Sequence, residues 1–357
     1  MLACLVLNSL LVFSNRSQFA DYIADVSHTT GIRMGADFDE RVRNLPLDEY
    51  AAWLRLQTED KTDVFDGYTT GYIAESYIST HDLTGIIADL MRDKYERLQA
   101  VVDENAESGA GMSLYYADAT YDRHTHLFRM MMVALLFEGI ILTALVMLLS
   151  LGYENSAKTE FVVYSTKKGR KINSAKLISC IIIGLAAYAL ITVVTLTLFF
   201  TINPLGGTGG SNVSSGFNYI WDLITGGRPF VTWHSFTVIT YLLAIIGVSA
   251  GLILCFAILA YITGLWIRNS YIGFLVLAVM NFAVFALPFV VFGLTLPTFF
   301  IIHSPIWLAM QQGVWFTDGG SNALFPHFET IGIIASFVVA AAFALWSSRK
   351  FKRRNLL

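Results

Sequence analysis

The sequence predicts an all-α polytopic membrane protein: six transmembrane helices, with a mainly helical extracellular domain between the first and second spans. Three observations carry this. Of 357 residues, 55% are hydrophobic and 14% charged, where average soluble domains are about a quarter charged. Apolar segments of span length recur from Leu127 onward. Charge is also segregated: residues 16–126 hold 10 Lys and Arg against 21 Asp and Glu, while the remainder holds 14 against 6. The net charge of −3 therefore hides an acidic domain joined to a basic-flanked membrane part. Those basic residues flank apolar segments instead of forming one soluble face, which argues against a nucleic-acid partner. Cys4, Cys180 and Cys255 all lie in apolar segments, so the acidic domain has no disulfide framework and is expected to fold on its own core.

Residues 1–14 read as a first span cut short, because Met1–Phe13 supplies about two-thirds of the ~20 residues a span requires. It lacks the basic start of a secretory signal. Residues 15–126 form the extracellular domain. Leu83, Ile86, Ile87, Leu90, Met91, Leu98, Val101 and Val102 recur at helical spacing and predict a helix over Asp82–Asp103, capped by Thr80 or Asp82. A second helix begins near Pro46, with Asp48 and Glu49 in its first turn. The aromatic, Gly-punctuated run Gly67–Tyr77 fits neither helix nor strand by pattern.

Residues 127–357 form the membrane domain, with spans at Leu127–Leu151, Leu177–Ile202, Phe236–Thr263, Tyr271–Phe292 and Thr330–Trp346. The polar, Gly-rich segment 203–235 reads as an exposed loop, with Tyr219, Trp221 and Trp233 suited to a membrane-interface belt. Residues 293–327 stay apolar around Pro297 and Pro305. They read as a re-entrant segment, whose broken backbone requires protein cover. Basic residues set the orientation. Segment 152–176 carries six Lys and Arg, the next short turn carries Arg268 and the tail carries five; segment 203–235 has only Arg228 and 293–327 has none. Basic short loops stay cytoplasmic, which puts both termini inside and the acidic domain outside.

The loop 153–176, YENSAKTEFVVYSTKKGRKINSAK, is the principal candidate site. Phe161, Val162, Val163 and Tyr164 are too few to cross a bilayer and too many to leave wet without a reason. A short helix docking on a second protein accounts for them. Glu138 is the one ionisable residue near the middle of a span, a placement that costs ~2.5–3.5 kcal/mol on insertion scales. It is expected to face the bundle interior, either coupling substrate or conformation or serving as a hydrogen-bonded packing residue. Gly247 and Gly251 bracket Ser249 in a GxSxG that lies inside an apolar helix. The spacing there matches GxxxG helix packing rather than a nucleophile elbow. His124 and His126 would point to different faces of a helix and read as exposed juxtamembrane residues, not metal ligands. The chain has no GxxxxGK[ST] motif, so ATP, if used, is held by a separate chain.

Glu154, Lys158-Thr159-Glu160, Ser165-Thr166-Lys167-Lys168-Gly169-Arg170 and Lys176 before an apolar span form a pattern that resembles the permease subunits of bacterial type-2 ABC exporters. Glu138-Gly139 in the preceding span is similar too. The resemblance covers the chain from about Leu127 to the tail and implies a function: the membrane subunit of an ATP-driven exporter, in the bacterial cell membrane, without catalysis of its own. It implies that Phe161, Val162, Val163 and Tyr164 enter a groove on an ABC ATP-binding subunit, with Glu154, Glu160, Lys167, Lys168 and Arg170 edging it. It further implies a second permease chain, identical or not, around a central path, with ATP and Mg on the partner subunit and no cofactor or metal here. Members of the family ordinarily begin with a basic amphipathic helix and a full first span. This sequence departs from that pattern, and its N-terminus reads as incomplete. The rival reading is a membrane sensor whose extracellular domain binds a ligand and whose 153–176 loop contacts a cytoplasmic effector.

Overall fold

A computed structural model describes residues 1–165, 169–290 and 293–353. The protein is mostly helical, at 74%. Among the described residues, sheet is confined to one hairpin and a few isolated bridges.

A short apolar helix, α1 (Leu2–Phe13), leads into a domain of small helices: α2 (Gln18–Thr30), α3 (Ala36–Arg43), α4 (Glu49–Thr58), α5 (Gly71–Thr80) and α6 (Ile86–Ser108). Ser17 caps α2 through the Ala20 amide, and Asp48 caps α4 through the Ala51 amide. The undecided run Gly67–Tyr77 is largely α5, which buries Ile73, Ala74 and Tyr77 against α6. The longest domain helix starts four residues later than its periodicity predicts. Asp82 and Gly85 both take positive φ, so the chain turns there before Ile86 begins α6.

A single long helix, 117–156, joins the domain to the membrane part. It comprises α7 (Thr120–His124), a π-helical turn over Thr125–Met131, and α8 (Met132–Ser156). Beyond lie α9 (Glu160–Ser165), α10 (Ile172–Ile202), a hairpin of β1 (Tyr219–Asp222) and β2 (Gly226–Pro229), α11 (Val238–Trp266) and α12 (Ser270–Val290). Two one- to two-turn helices follow, α13 (Leu296–Ile302) and α14 (Pro305–Met310), each with proline in its first turn where a missing N–H costs nothing. The last helix is α15 (Phe328–Arg353). Phe292, the expected end of the fifth span, lies outside the described residues.

Among the described residues, five helices are long and apolar enough to cross a membrane: 117–156, α10, α11, α12 and α15. The sequence expectation is six; α1 is apolar but has only 12 residues. Helix α8 is the centre of the bundle, packed against α10, α11 and α12, while α15 packs on α11 and α1 on α10. The bundle thus has a domain end and an opposite, loop end.

Two sequence expectations need correction at the domain end. The core of the acidic domain is only partly its own: α5 and α6 build one cluster around Ile73, Tyr77, Met91 and Leu98, whereas Phe38, Leu54 and Tyr115 belong to the same buried cluster as Leu135, Tyr241 and Phe256 of the spans. Segment 203–235 is not an exposed loop either. Thr208, Ser211, Val213, Ser215, Phe230 and Trp233 are buried, because the domain lies over them. Gly206, at φ 55°, sits directly on the Ala24 carbonyl, leaving no room for a side chain. Polar residues survive burial here because backbone of adjoining segments accepts from or donates to them, as when Trp233 Nε1 donates to the Thr317 carbonyl at 2.7 Å.

His124 and His126 also differ from expectation. They face different elements, but both are buried. His124 packs among Phe128, Phe230 and Tyr241. His126 Nε2 donates to the Leu11 carbonyl at 2.8 Å and ties α1 to the π turn. Among the described residues no cluster of three His, Cys, Asp or Glu side chains is placed to hold a metal.

Candidate functional site

The loop end is built by a reversal of the chain. Helix α8 stops at Ser156, Lys158 takes a left-handed conformation (φ 56°), and the Thr159 amide returns to the Glu154 carbonyl at 2.9 Å. This sets α9 under the bundle. Glu160 and Tyr164 turn inward: Glu160 Oε2 accepts from Arg268 Nη1 at 3.1 Å, and Tyr164 meets Phe351 of α15 edge-on, with ring centroids 5.8 Å apart. Burial raises the Tyr164 phenol above its usual pKa. Phe161 and Val162 point away and are 67% and 69% exposed. Val163 is half-buried.

Glu154 and Glu160 therefore face into the chain and do not rim the exposed pair. Glu154 accepts from Lys176 Nζ at 2.6 and 2.5 Å, and Lys176 also donates to the Ser150 carbonyl. That pair is nearly buried and locks the end of α8 to the start of α10. Removing either partner would strand a desolvated charge. Arg268 reaches Glu160 because Gly152 lets the α11–α12 turn approach α8. A Cβ there would meet the Ser270 hydroxyl and the Arg268 carbonyl. The resulting platform holds a two-residue apolar knob rigidly outward. Lys167 and Lys168 lie outside the described residues, as does the side chain of Arg170, whose backbone forms part of a 3₁₀ turn over Gly169–Lys171.

In the bundle, Asn8 Nδ2 donates to Glu138 Oε2 at 2.9 Å and to Thr195 Oγ1 at 3.2 Å, joining α1, α8 and α10. Gly139 permits this closeness, since a Cβ there would lie 2.5 Å from Ile253 Cδ1 and 2.9 Å from Tyr188. Sequence reasoning did not single out Asn8 or Thr195, although a lone amide in an apolar helix was a readable signal. Gly251 lies against Ile333 of α15, whereas the Cβ position of Gly247 has no atom within 4 Å. Ser249 is buried within α11, far from any strand-to-helix turn.

At the domain end a second polar cluster joins distant segments. Asp318 pairs with Arg228 at 2.8 Å, both almost wholly buried, and accepts from the Tyr95 hydroxyl. Lys94 Nζ donates to the carbonyls of Asp318 (3.1 Å), Gly320 (2.7 Å) and Ala323 (2.8 Å). Burial alone would raise the Asp318 carboxyl, but Arg228 and Lys94 outweigh it and hold the group below the usual carboxylate range.

No protein-family model, curated protein or solved structure matches the chain.

Proposed function

We propose that the chain is the membrane subunit of an ATP-driven exporter, coupled to a separate ATP-binding subunit through the exposed knob of α9. The observation that carries this reading is the arrangement at the loop end. Phe161 and Val162 stand about two-thirds exposed on a short helix whose one acid, Glu160, is spent on the bundle, as is Glu154 at the end of α8. A flexible loop would bury such residues or splay them. A helix braced by Glu160–Arg268 and Glu154–Lys176 instead transmits a push from a bound partner into α8, α10 and the α11–α12 turn. On this reading the loop end is cytoplasmic, α1 belongs to the first of six spans, and the acidic domain is external. Helices α13 and α14 are then the re-entrant pair, packed against α12 and α15, and a second permease chain completes the path. ATP and Mg belong to the partner.

The test is affinity purification of the tagged chain from bacterial membranes, followed by an ATPase assay and identification of co-purifying chains. The reading predicts a nucleotide-binding subunit that Phe161→Asp/Val162→Asp removes while leaving membrane insertion unchanged. Isolation of the chain alone, or with a non-ATPase effector, would favour a membrane sensor instead.

A further inference from the structure

Glu138 reaches the α10 hydroxyl Thr195 through Asn8, and beyond Thr195 the bundle interior holds further hydroxyls that the protein satisfies poorly. On α10, Tyr188, Thr192 and Thr195 fall on one face, at spacings of four and three residues, and span ~10 Å of helix. Ser249 of α11 and Thr143 of α8 flank them, both buried. Thr143 lies against Gly184, one turn along the same α10 face. The Tyr188 hydroxyl stands close to those of Thr192 and Ser249. Yet the oxygens of Thr143, Tyr188, Thr192 and Ser249 make no hydrogen bond of ordinary geometry, and neither does Asn8 Oδ1. Five buried polar atoms, three of them (on Tyr188, Thr192 and Ser249) with only one another in reach, are an unusual density for the interior where α1, α8, α10 and α11 adjoin. They have the polarity and the two-to-four-partner geometry that ordered water requires.

We propose that these hydroxyls carry a file of ordered waters into the bundle, and that Glu138, at its domain-facing end, takes up and releases a proton through it. The exchange is balanced by one proton. As a carboxylate, Glu138 accepts from Asn8 Nδ2, the contact present here. On protonation the acid becomes a donor. A half-turn of the Asn8 amide presents Oδ1, now buried without a partner, to accept it. The same half-turn breaks the contact of Asn8 Nδ2 to Thr195 Oγ1. The titratable groups facing Glu138 are Cys4 and the Met1 amine, both on the α1 side. Tyr188 and the hydroxyls are the α10 and α11 contribution; α11 carries no charged residue, and the only one on α10, Lys176, is committed to Glu154. A neutral, hydroxyl-lined environment is what lets a single carboxyl change charge without breaking an ion pair. The inference stands whether or not an ATP-binding partner exists.

The test is chemical modification of the full chain in lipid nanodiscs, read at the Glu138 peptide by mass spectrometry. Carbodiimides react with protonated carboxyls, and two are compared: one water-soluble, one lipid-soluble. The proposal predicts that the water-soluble reagent modifies Glu138, with incorporation falling about tenfold or more from about pH 5 to about pH 9. It also predicts a several-fold loss of that incorporation in Thr192→Val/Ser249→Ala, with labelling by the lipid-soluble reagent retained. Modification by the lipid-soluble reagent alone in the unmodified chain would show a dry, packed residue and overturn the proposal, with no variant needed. Labelling independent of pH would remove the proton, and labelling indifferent to the hydroxyl variant would remove the path.

Discussion

Lys94 places an ammonium where no solvent reaches and gives each of its three N–H bonds a carbonyl from the segment before α15. Two residues before Gly320 in that segment, Asp318 answers Arg228 of the hairpin. Each charge is tolerable only because the others are present, since isolated buried ions are heavily penalised. Asp318→Asn should therefore destabilise the protein by about 3–5 kcal/mol, because it strands Arg228 and leaves Lys94 without a counter-charge. Thermal unfolding of the purified chain would measure this. The pH dependence has a definite sign. The Asp318 carboxyl is depressed when folded, so its contribution is fully present above its unfolded value of 3.8 and is lost as pH falls through the lower folded value. Domain docking, followed by limited proteolysis, should loosen in that acid window, and in Asp318→Asn it should be loose already at neutral pH. Arg268→Ala should cost about 1 kcal/mol or more, because the guanidinium, though 42% exposed, is the partner of the nearly buried Glu160 carboxylate. Its effect should appear in partner binding. None of these pairings was legible in the sequence. Asp318 lies 90 residues from Arg228 and 224 from the Lys94 that meets its carbonyl, and no local pattern marks such partners.

Among the elements, those with a strong periodic or hydropathic signal were legible and those defined by cover were not. The long apolar helices declare themselves by length and hydropathy, and the first turns of α4 by Asp48 and Glu49. Segment 203–235 misled because its composition is that of a loop. Ser, Thr, Asn and Gly there satisfy local backbone under the domain instead of meeting water. The close approach that makes this possible rests on Gly206. Gly206→Val would drive a branched side chain into the Ala24 backbone at positive φ, and should cost about 1–3 kcal/mol or more and release α2. Proteolytic sensitivity confined to residues 15–60 would report it. The corresponding change at the loop end, Gly152→Val, should push the α11–α12 turn away from α8 and undo the Glu160–Arg268 brace. It should weaken partner binding with little loss of membrane insertion. The apolar run at Phe161 was legible as a short helix. Its bracing was not, because Arg268 is 108 residues away.

At the scale of the whole molecule, one continuous helix, 117–156, runs from beneath the acidic domain to the mobile-partner face proposed at α9. The domain is wedded to both ends of the bundle's upper layer. Arg123 donates to Asp21 and the Ser17 carbonyl and pairs with Asn203, while Lys94 holds the approach to α15. A tilt of α8 imposed at one end must therefore be felt by the domain at the other. The proposed orientation predicts that a cysteine at Leu47, which is 86% exposed, reacts with an impermeant thiol reagent from outside intact cells, and that one at Lys158 reacts only after lysis. The central claim is that α9 seats on an ATP-binding subunit. The most direct measurement is a photo-crosslinking residue placed at Phe161 in native membranes, with Val193, an exposed position on α10, as control. The account predicts a crosslink from position 161, absent from 193, to a chain that binds ATP, weakened by Gly152→Val. Crosslinking of 161 to lipid alone, or to the same products as 193, would contradict it.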